Sequence, residues 1–436
     1  MFARAVGRRF SGLTRRLPVL GIRDFRLLLA DRVLAPASFA FSIVGVSFAV
    51  LNVTHGSTAI LSYVLAAQIA PSIVFVLVGG VIADRVAPQK VIVAGNLMMA
   101  LGEGTFGILV LAGHPAVWQM IALECVTGTG MAIFYPASSA LLPRIVPAES
   151  MQQASAISRL AMNGAQMGGS VLAGFCVYAI GPGWALTVCG AGLLGTLPLM
   201  LSLRVTSRGR SEDSGMLRDL REGWSEFRSH VWLWVIVAQF SVVLMAWYGA
   251  FSVLGPAVMR QHLGARHGPA AWGAITAAES LGLIIGGLVS LRFTPRRPML
   301  FVVLNGASIA ISPLALAMLW PLPLICVSSF ALGIALEIMM IQWTVALARN
   351  IPPGKLARVS SYDALGTVMA MPVGAVIAGP IAAWVGVSRT QYGAVVLILL
   401  ASVLALVPRQ IRQLRAGDLT GPAATELAAG QLVPIP

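Results

Sequence analysis

Residues 79–90 read GGVIADRVAPQK, a short turn that sets one aspartate, Asp84, and two cations, Arg85 and Lys90, behind a glycine pair. Apolar runs flank it at about 59 to 82 and 91 to 112. Each is long enough to cross a ~30 Å hydrocarbon core as a helix, which takes ~20 residues. Charge beside such runs is costly and calls for a purpose.

Working outward, runs of the same kind recur at about 27 to 52, 117 to 141, 154 to 180 and 184 to 203. Six more follow at about 231 to 256, 269 to 291, 298 to 318, 321 to 345, 358 to 383 and 389 to 408. The chain of 436 residues is 57% hydrophobic and only 11% charged, with a mean hydropathy of +0.84. No ordinary soluble domain has that balance. The net charge of +14 would suit nucleic acid, but position decides against it. All the Lys and Arg residues except Arg260, Arg266 and Arg389 fall on alternate loops, the two termini and the first few residues of the first, fifth and eleventh spans. That is the positive-inside pattern, which places both termini in the cytoplasm. The expected partners are therefore the lipid bilayer and no nucleic acid.

Five segments are expected. They are a cytoplasmic N-terminal arm, 1–26; a first six-helix bundle, 27–203; a cytoplasmic linker, 204–230; a second six-helix bundle, 231–408; and a polar, disordered cytoplasmic tail, 409–436. The linker places Leu217, Leu220, Trp224 and Phe227 at helical spacing, which predicts an amphipathic helix on the membrane surface. The two bundles read as diverged copies. Gly79 and Gly80 recur as Gly286 and Gly287, Arg85 as Arg292, Pro88 as Pro295 and Lys90 as Arg297, all at an offset of 207. Gly169 and Gly174 recur as Gly374 and Gly379 at an offset of 205. Asp84 has no copy, because Leu291 stands in its place.

Twelve spans, repeated halves, a polar central loop and Gly80-x-x-x-Asp84-Arg85 after the second span together resemble the major facilitator superfamily. The stretches FYPASSALLPRIVP, LREGWSEF and ARVSSYDAL are similar to the bacterial branch that includes siderophore secretion and macrolide efflux proteins. The resemblance implies an all-α membrane fold, with twelve transmembrane helices in two pseudo-symmetric bundles that rock around a midplane cavity. It also implies that Gly80, Asp84, Arg85 and Lys90 form a conformational latch, with Asp84 reaching the start of the eleventh helix near Ser360 and Ser361. The motif's usual glycine is Ala87 here, and two of its basic positions are Pro88 and Gln89.

Counted at ~1.5 Å per residue from the nearest helix end, Glu103, Glu279 and Glu337 fall close to mid-membrane, and Glu124 about a third of the way in. A charge at such depth costs at least ~2.5 kcal/mol, so residues of this kind face a cavity and do work. They are the candidates for binding a proton or substrate. Helices 1, 4, 7 and 10 line the cavity in the superfamily, so the resemblance ranks Glu124 and Glu337 first, Glu279 third and Glu103 last. Glu124 also stands where exporters often carry an arginine ahead of Gly-x-Gly, here Gly128 and Gly130. Phe134, Tyr135, Trp247, Tyr248 and Trp343 are candidates for an adaptable apolar lining.

The four cysteines lie inside apolar runs at spacings that match neither a metal site nor a disulfide framework. No phosphate-cradling Gly-x-x-x-x-Gly-Lys-Ser/Thr occurs, so neither ATP nor any other cofactor is expected to drive the protein. The expectation is a non-enzymatic, monomeric carrier of the bacterial inner membrane that exports an amphipathic small molecule in exchange for protons. Alternatives are an importer of the same fold and a membrane receptor or scaffold that does not transport.

Overall fold

A computed structural model describes residues 18–85, 87–113, 115–203, 228, 230–293, 295–351 and 353–413. Helices carry almost all of them, and no strand occurs among the described residues. The first six are α1 (Arg23–Val53), α2 (Thr58–Arg85), α3 (Pro88–Ala112), α4 (Val117–Ile145), α5 (Met151–Ile180) and α6 (Pro182–Leu201). Val231–Trp247, a π-helical turn at Tyr248–Val253 and Leu254–Ser290 then form one run. It breaks at Gly264 (φ 79°, ψ 169°), and its arms, 231–263 and 265–290, are α7 and α8. The last are α9 (Pro298–Ser308 with Ile311–Ala317), α10 (Leu322–Asn350), α11 (Pro353–Val385) and α12 (Val387–Ala405). Twelve long helices are thus present among the described residues, in agreement with the all-α membrane fold expected. Where the apolar runs leave a loop at 257 to 268, α7 and α8 continue until Gly264 alone separates them. The amphipathic helix expected at 217 to 227, most of the N-terminal arm and most of the tail lie outside the described residues.

Helix ends follow from local chemistry. Proline opens α3, α6 and α9, where its missing N–H removes no helical bond. Gly181 (φ 96°) joins α5 to α6, and Gly386 (φ 98°), 205 residues later, joins α11 to α12. Both adopt a left-handed turn that favours glycine, so the repeat extends to the tightest turns.

Two compact units result. Unit 1 comprises Met1–Gly56, Ala67–Ser211 and Leu263–Ala277; unit 2 comprises Ser57–Ala66, Glu212–His262 and Ala278–Pro436. Within unit 1, α3 packs on α4 and α6, and α1 on α5 and α6; within unit 2, α7 packs on α11 and α12. Small residues permit the closest approaches, as in other membrane bundles. In unit 1, a Cβ on Gly169 of α5 would come 2.6 Å from the Ala37 carbonyl of α1. In unit 2, a Cβ on Gly374 of α11 would strike the Met245 carbonyl of α7. Gly174 of α5 likewise lies against Pro269 and Gly273 of α8 in unit 1, and Gly379 of α11 against Thr58 and Ser62 of α2 in unit 2. In the latter contact Gly379 N donates to Ser62 Oγ at 2.7 Å, and Thr58 Oγ1 donates to the Gly379 carbonyl at 3.2 Å. The repeat evident in the sequence is therefore also a repeat of contacts.

Candidate functional site

A buried polar group lies in unit 1. Glu103 of α3 and Glu124 of α4 both have 0% exposure and lie near enough to act on each other electrostatically. Each is held by one neutral donor. Ser42 Oγ of α1 donates to Glu103 Oε1 at 2.6 Å, and Gln68 Nε2 of α2 donates to Glu124 Oε2 at 2.7 Å. Glu103 Oε2, Glu124 Oε1 and Thr127 Oγ1 have no hydrogen-bond partner among the described residues. Thr127 follows Glu124 by three residues, on the same face of α4. Its hydroxyl fills the space where a side chain on Gly102 would be, beside Glu103. Two like charges set together in an apolar core do not both persist, so chemically the pair is suited to hold and release a proton.

The structure thus brings together the acid ranked first and the acid ranked last from the sequence. A peripheral position for α3 does not expose Glu103, which is fully buried and accepts from Ser42 of α1. The sequence alone does not single out Ser42 or Gln68. Their only sequence signal is a polar side chain inside an apolar run, a common occurrence.

A second polar chain crosses the same unit nearer the arginine-rich ends of the helices. Asn96 Nδ2 of α3 donates to Asp31 Oδ1 of α1 at 3.3 Å and to Thr196 Oγ1 of α6 at 2.7 Å. The adjacent Arg32 donates from Nη2 to the Ser138 carbonyl of α4 at 3.1 Å. Asp31 and Arg32 form one wall of a cavity of about 150 Å³, shared with Met99, Met131, Phe134 and Tyr135. Drug-sized ligands occupy pockets of ~300 Å³ or more, so this cavity alone holds part of such a molecule. Thioether and aromatic walls adapt to varied apolar shapes.

In unit 2, Glu279 and Glu337 lie at the crossing of α8 and α10. A Cβ on Gly333 of α10 would strike the Glu279 carbonyl, just as one on Gly128 of α4 would strike that of Gln68. Gly333 follows Gly128 by 205 residues and Glu279 follows Gln68 by 211. Each half therefore places a carboxyl group at the equivalent crossing, on α4 in the first and on α8 in the second. Glu337 packs against Gly286 and Gly287, the second copy of the glycine pair, with its Oε1 3.9 Å from where a Cβ on Gly287 would stand. Trp247 stacks on Phe251 with ring centroids 5.8 Å apart and meets Tyr248 edge-on at 6.4 Å. Trp343 is buried against Trp232 and Phe240 and donates from Nε1 to Asp363 Oδ2 at 2.9 Å.

Of the opening stretch, Gly79, Gly80, Asp84 and Arg85 belong to the end of α2, and their side chains lie outside the described residues, as do those of Ser360 and Ser361. Pro88 is the buried first residue of α3 and Lys90 is exposed. Gln89, in place of the motif's basic residue, donates to the Met200 and Leu203 carbonyls at 2.8 and 3.0 Å. It satisfies carbonyl groups that the end of a helix leaves unpaired.

Residues 33–312 match the Major Facilitator Superfamily. The enterobactin exporter EntS of Escherichia coli O1:K1 / APEC is 26% identical over 399 residues, covering 90% of this chain and 93% of the exporter. Macrolide efflux protein A of Streptococcus pyogenes is 22% identical over 368 residues, covering 82% of this chain and 89% of the relative. A crystal structure of a D-xylose-proton symporter superposes with a TM-score of 0.66 at 13% identity, covering 88% of this chain and 97% of the symporter.

Proposed function

The chain belongs to the Major Facilitator Superfamily, and from that premise we propose that it is a proton-coupled exporter of an amphipathic small molecule, working in a bacterial inner membrane. The observation that carries the proposal is the Glu103–Glu124 pair, two fully buried carboxyl groups with two unpartnered oxygens. The exporter and efflux names of the two relatives given above support the direction, and the adaptable walls of the Asp31–Tyr135 cavity support the substrate class.

In this reading the pair carries the proton and the neighbouring residues read its state. With one proton bound, α3 and α4 pack closely around Gly102 and Thr127, and Ser42 and Gln68 each hold one carboxyl oxygen in place. Loss of that proton leaves two like charges in a medium of low dielectric, where repulsion drives the helices to rearrange. Inward movement of one proton under ~100 mV releases ~2.3 kcal/mol, which supports about a fiftyfold gradient of a neutral substrate, whereas exchange for a monovalent cation draws on the pH gradient alone. Asp31 and Arg32 offer a charge of each sign to a polar group of the substrate, while Met99, Met131 and Phe134 take its apolar part.

Ser57–Ala66 and Leu263–Ala277 are the segments that must change partners when the halves rock. Each belongs by chain order to one half and by contact to the other. Gly379 and Gly174 are the contacts to be broken and remade. The latch role of Gly80, Asp84, Arg85 and Lys90 remains part of the proposal, with Gln89 anchoring the start of α3 beside it.

Proteoliposomes test the reading. Ethidium is a suitable probe because its charge is fixed and it carries no proton of its own. Export coupled to protons requires that an imposed pH gradient drive ethidium against its concentration gradient. Ethidium movement indifferent to that gradient would refute proton coupling, and accumulation in the same direction as the protons would indicate import instead.

A further inference from the structure

A groove of about 220 Å³ runs between α7, α11 and α12 in unit 2, and none of the candidate acids lines it. We propose that it holds an acyl chain of an anionic phospholipid, with the lipid headgroup at Arg389.

The floor of the groove is backbone. Gly374 lies against the Met245 carbonyl, and a Cβ on Gly249 would come 2.8 Å from the Ala378 Cβ. With little more than the Ala378 methyl between them, α7 and α11 touch and leave a channel above the contact. Its walls, Ile377, Ile381 and Leu397, are each about two-fifths exposed, so the channel opens toward the surrounding bilayer. A Cβ on Gly393 of α12 would meet nothing within 4 Å. The groove is thus unfilled by the protein's own side chains, and an empty slot forfeits the dispersion contacts of its lining. A lipid chain is the apolar material at hand.

Length and charge select the occupant. From Gly374 to Val385 the groove follows eleven residues of α11, about 16 Å at the helical rise. One leaflet contributes half of a ~30 Å hydrocarbon core, so the groove reaches from the surface to the midplane, the span of one acyl chain. Exposed Trp384 marks the surface end. Arg389 stands there on the groove's rim, exposed, with no acidic partner among the described residues. It is the third residue of α12, where the helix dipole disfavours a cation unless an anion is near. A phosphate headgroup supplies that anion. The chain gains no hydrophobic energy by leaving one apolar medium for another, so headgroup charge decides which lipid is preferred.

The test uses the full-length protein in nanodiscs of phosphatidylethanolamine doped with a photoactivatable phosphatidylglycerol, its reactive group in the acyl chain. Crosslinked peptides are then mapped. Crosslinks to 374–397 are expected in the wild type, with the yield falling about fivefold in Arg389→Gln, the loss of one cation's attraction to anionic lipid. Gly393→Leu fills the slot and should abolish these crosslinks for phosphatidylglycerol and for a phosphatidylcholine probe alike. Arg389 is exposed, so its variant keeps the fold, as a thermal midpoint equal to the wild type would verify. An unchanged yield in Arg389→Gln, or equal wild-type yields from the anionic and the zwitterionic probes, overturns the proposal.

Discussion

Replacing Glu124 by glutamine should separate transport from coupling. The side chain keeps its shape, and its amide oxygen can still accept from Gln68 Nε2 across the present 2.7 Å contact. Exchanging one neutral hydrogen bond for another changes stability by ~1 kcal/mol or less. Glu124→Leu instead leaves the half-buried Gln68 amide without its carboxyl partner, which costs ~1 kcal/mol or more. The glutamine variant should therefore fold and melt like the wild type while unable to take up a proton at that position. One proton exchanged per substrate across a gradient of about one pH unit supports about tenfold accumulation, ~1.4 kcal/mol. Glu124→Gln should lose that tenfold accumulation yet continue to exchange labelled for unlabelled ethidium at equal pH, because exchange needs no net proton movement. Glu103→Gln should do the same if the two carboxyl groups act as one site, and the double variant should be no worse than either single one. Accumulation driven by the pH gradient that survives in the double variant would refute the proton role of the pair.

Other consequences follow from the same geometry. Gly379→Val would press against the Thr58 carbonyl and Ser62 and, with Gly174→Val against Pro269 and Gly273, should raise the labelling rates of single cysteines introduced within 57–66 and 263–277 and slow transport at least tenfold. Asn96→Leu removes donors to Asp31 and Thr196; it should cost ~1 to 3 kcal/mol in thermal stability, since a buried carboxyl group loses its partner. Met131→Ala with Phe134→Ala enlarges the Asp31 cavity and should shift the ranking of exported dyes measured by ethidium competition, with pH coupling left intact.

Much of this architecture is legible in the residues alone, for physical reasons that differ from feature to feature. Spans are easy to recognise because a bilayer demands ~20 apolar residues for each crossing. Gly181 and Gly386 announce their turns because few other residues adopt a positive φ there. The second bundle is harder to align. The offset of 207 that relates Gly79 to Gly286 gives way to 211 where Gln68 matches Glu279, a slip of about one helical turn. The gap between α7 and α8 reads as a loop because Arg260, His262, Arg266 and His267 lower its hydropathy. In the structure those residues are helical on either side of Gly264, and Arg266 lies over the Tyr178 ring at 5.3 Å.

The site is less legible than the fold, because membrane depth can be counted along one helix but rotation cannot. Glu103 and Glu124 lie 21 residues apart on neighbouring helices, and only the packing of α3 on α4 through Gly102 and Thr127 turns them toward each other. Trp343 reads as a free aromatic surface until Asp363 is seen to accept its indole N–H. Gln89 reads as a loss from a basic motif, yet it gains a structural task at the end of α6.

Substrate-driven proton movement is the most direct test of proton-coupled export. Wild-type proteoliposomes are loaded with ethidium and an internal pH dye, with no pH gradient and the membrane potential clamped. On dilution into ethidium-free buffer, ethidium leaving through the protein should acidify the lumen as protons enter in exchange, and Glu124→Gln should show no such change. Ethidium efflux of normal rate with a flat internal pH in the wild type would contradict it.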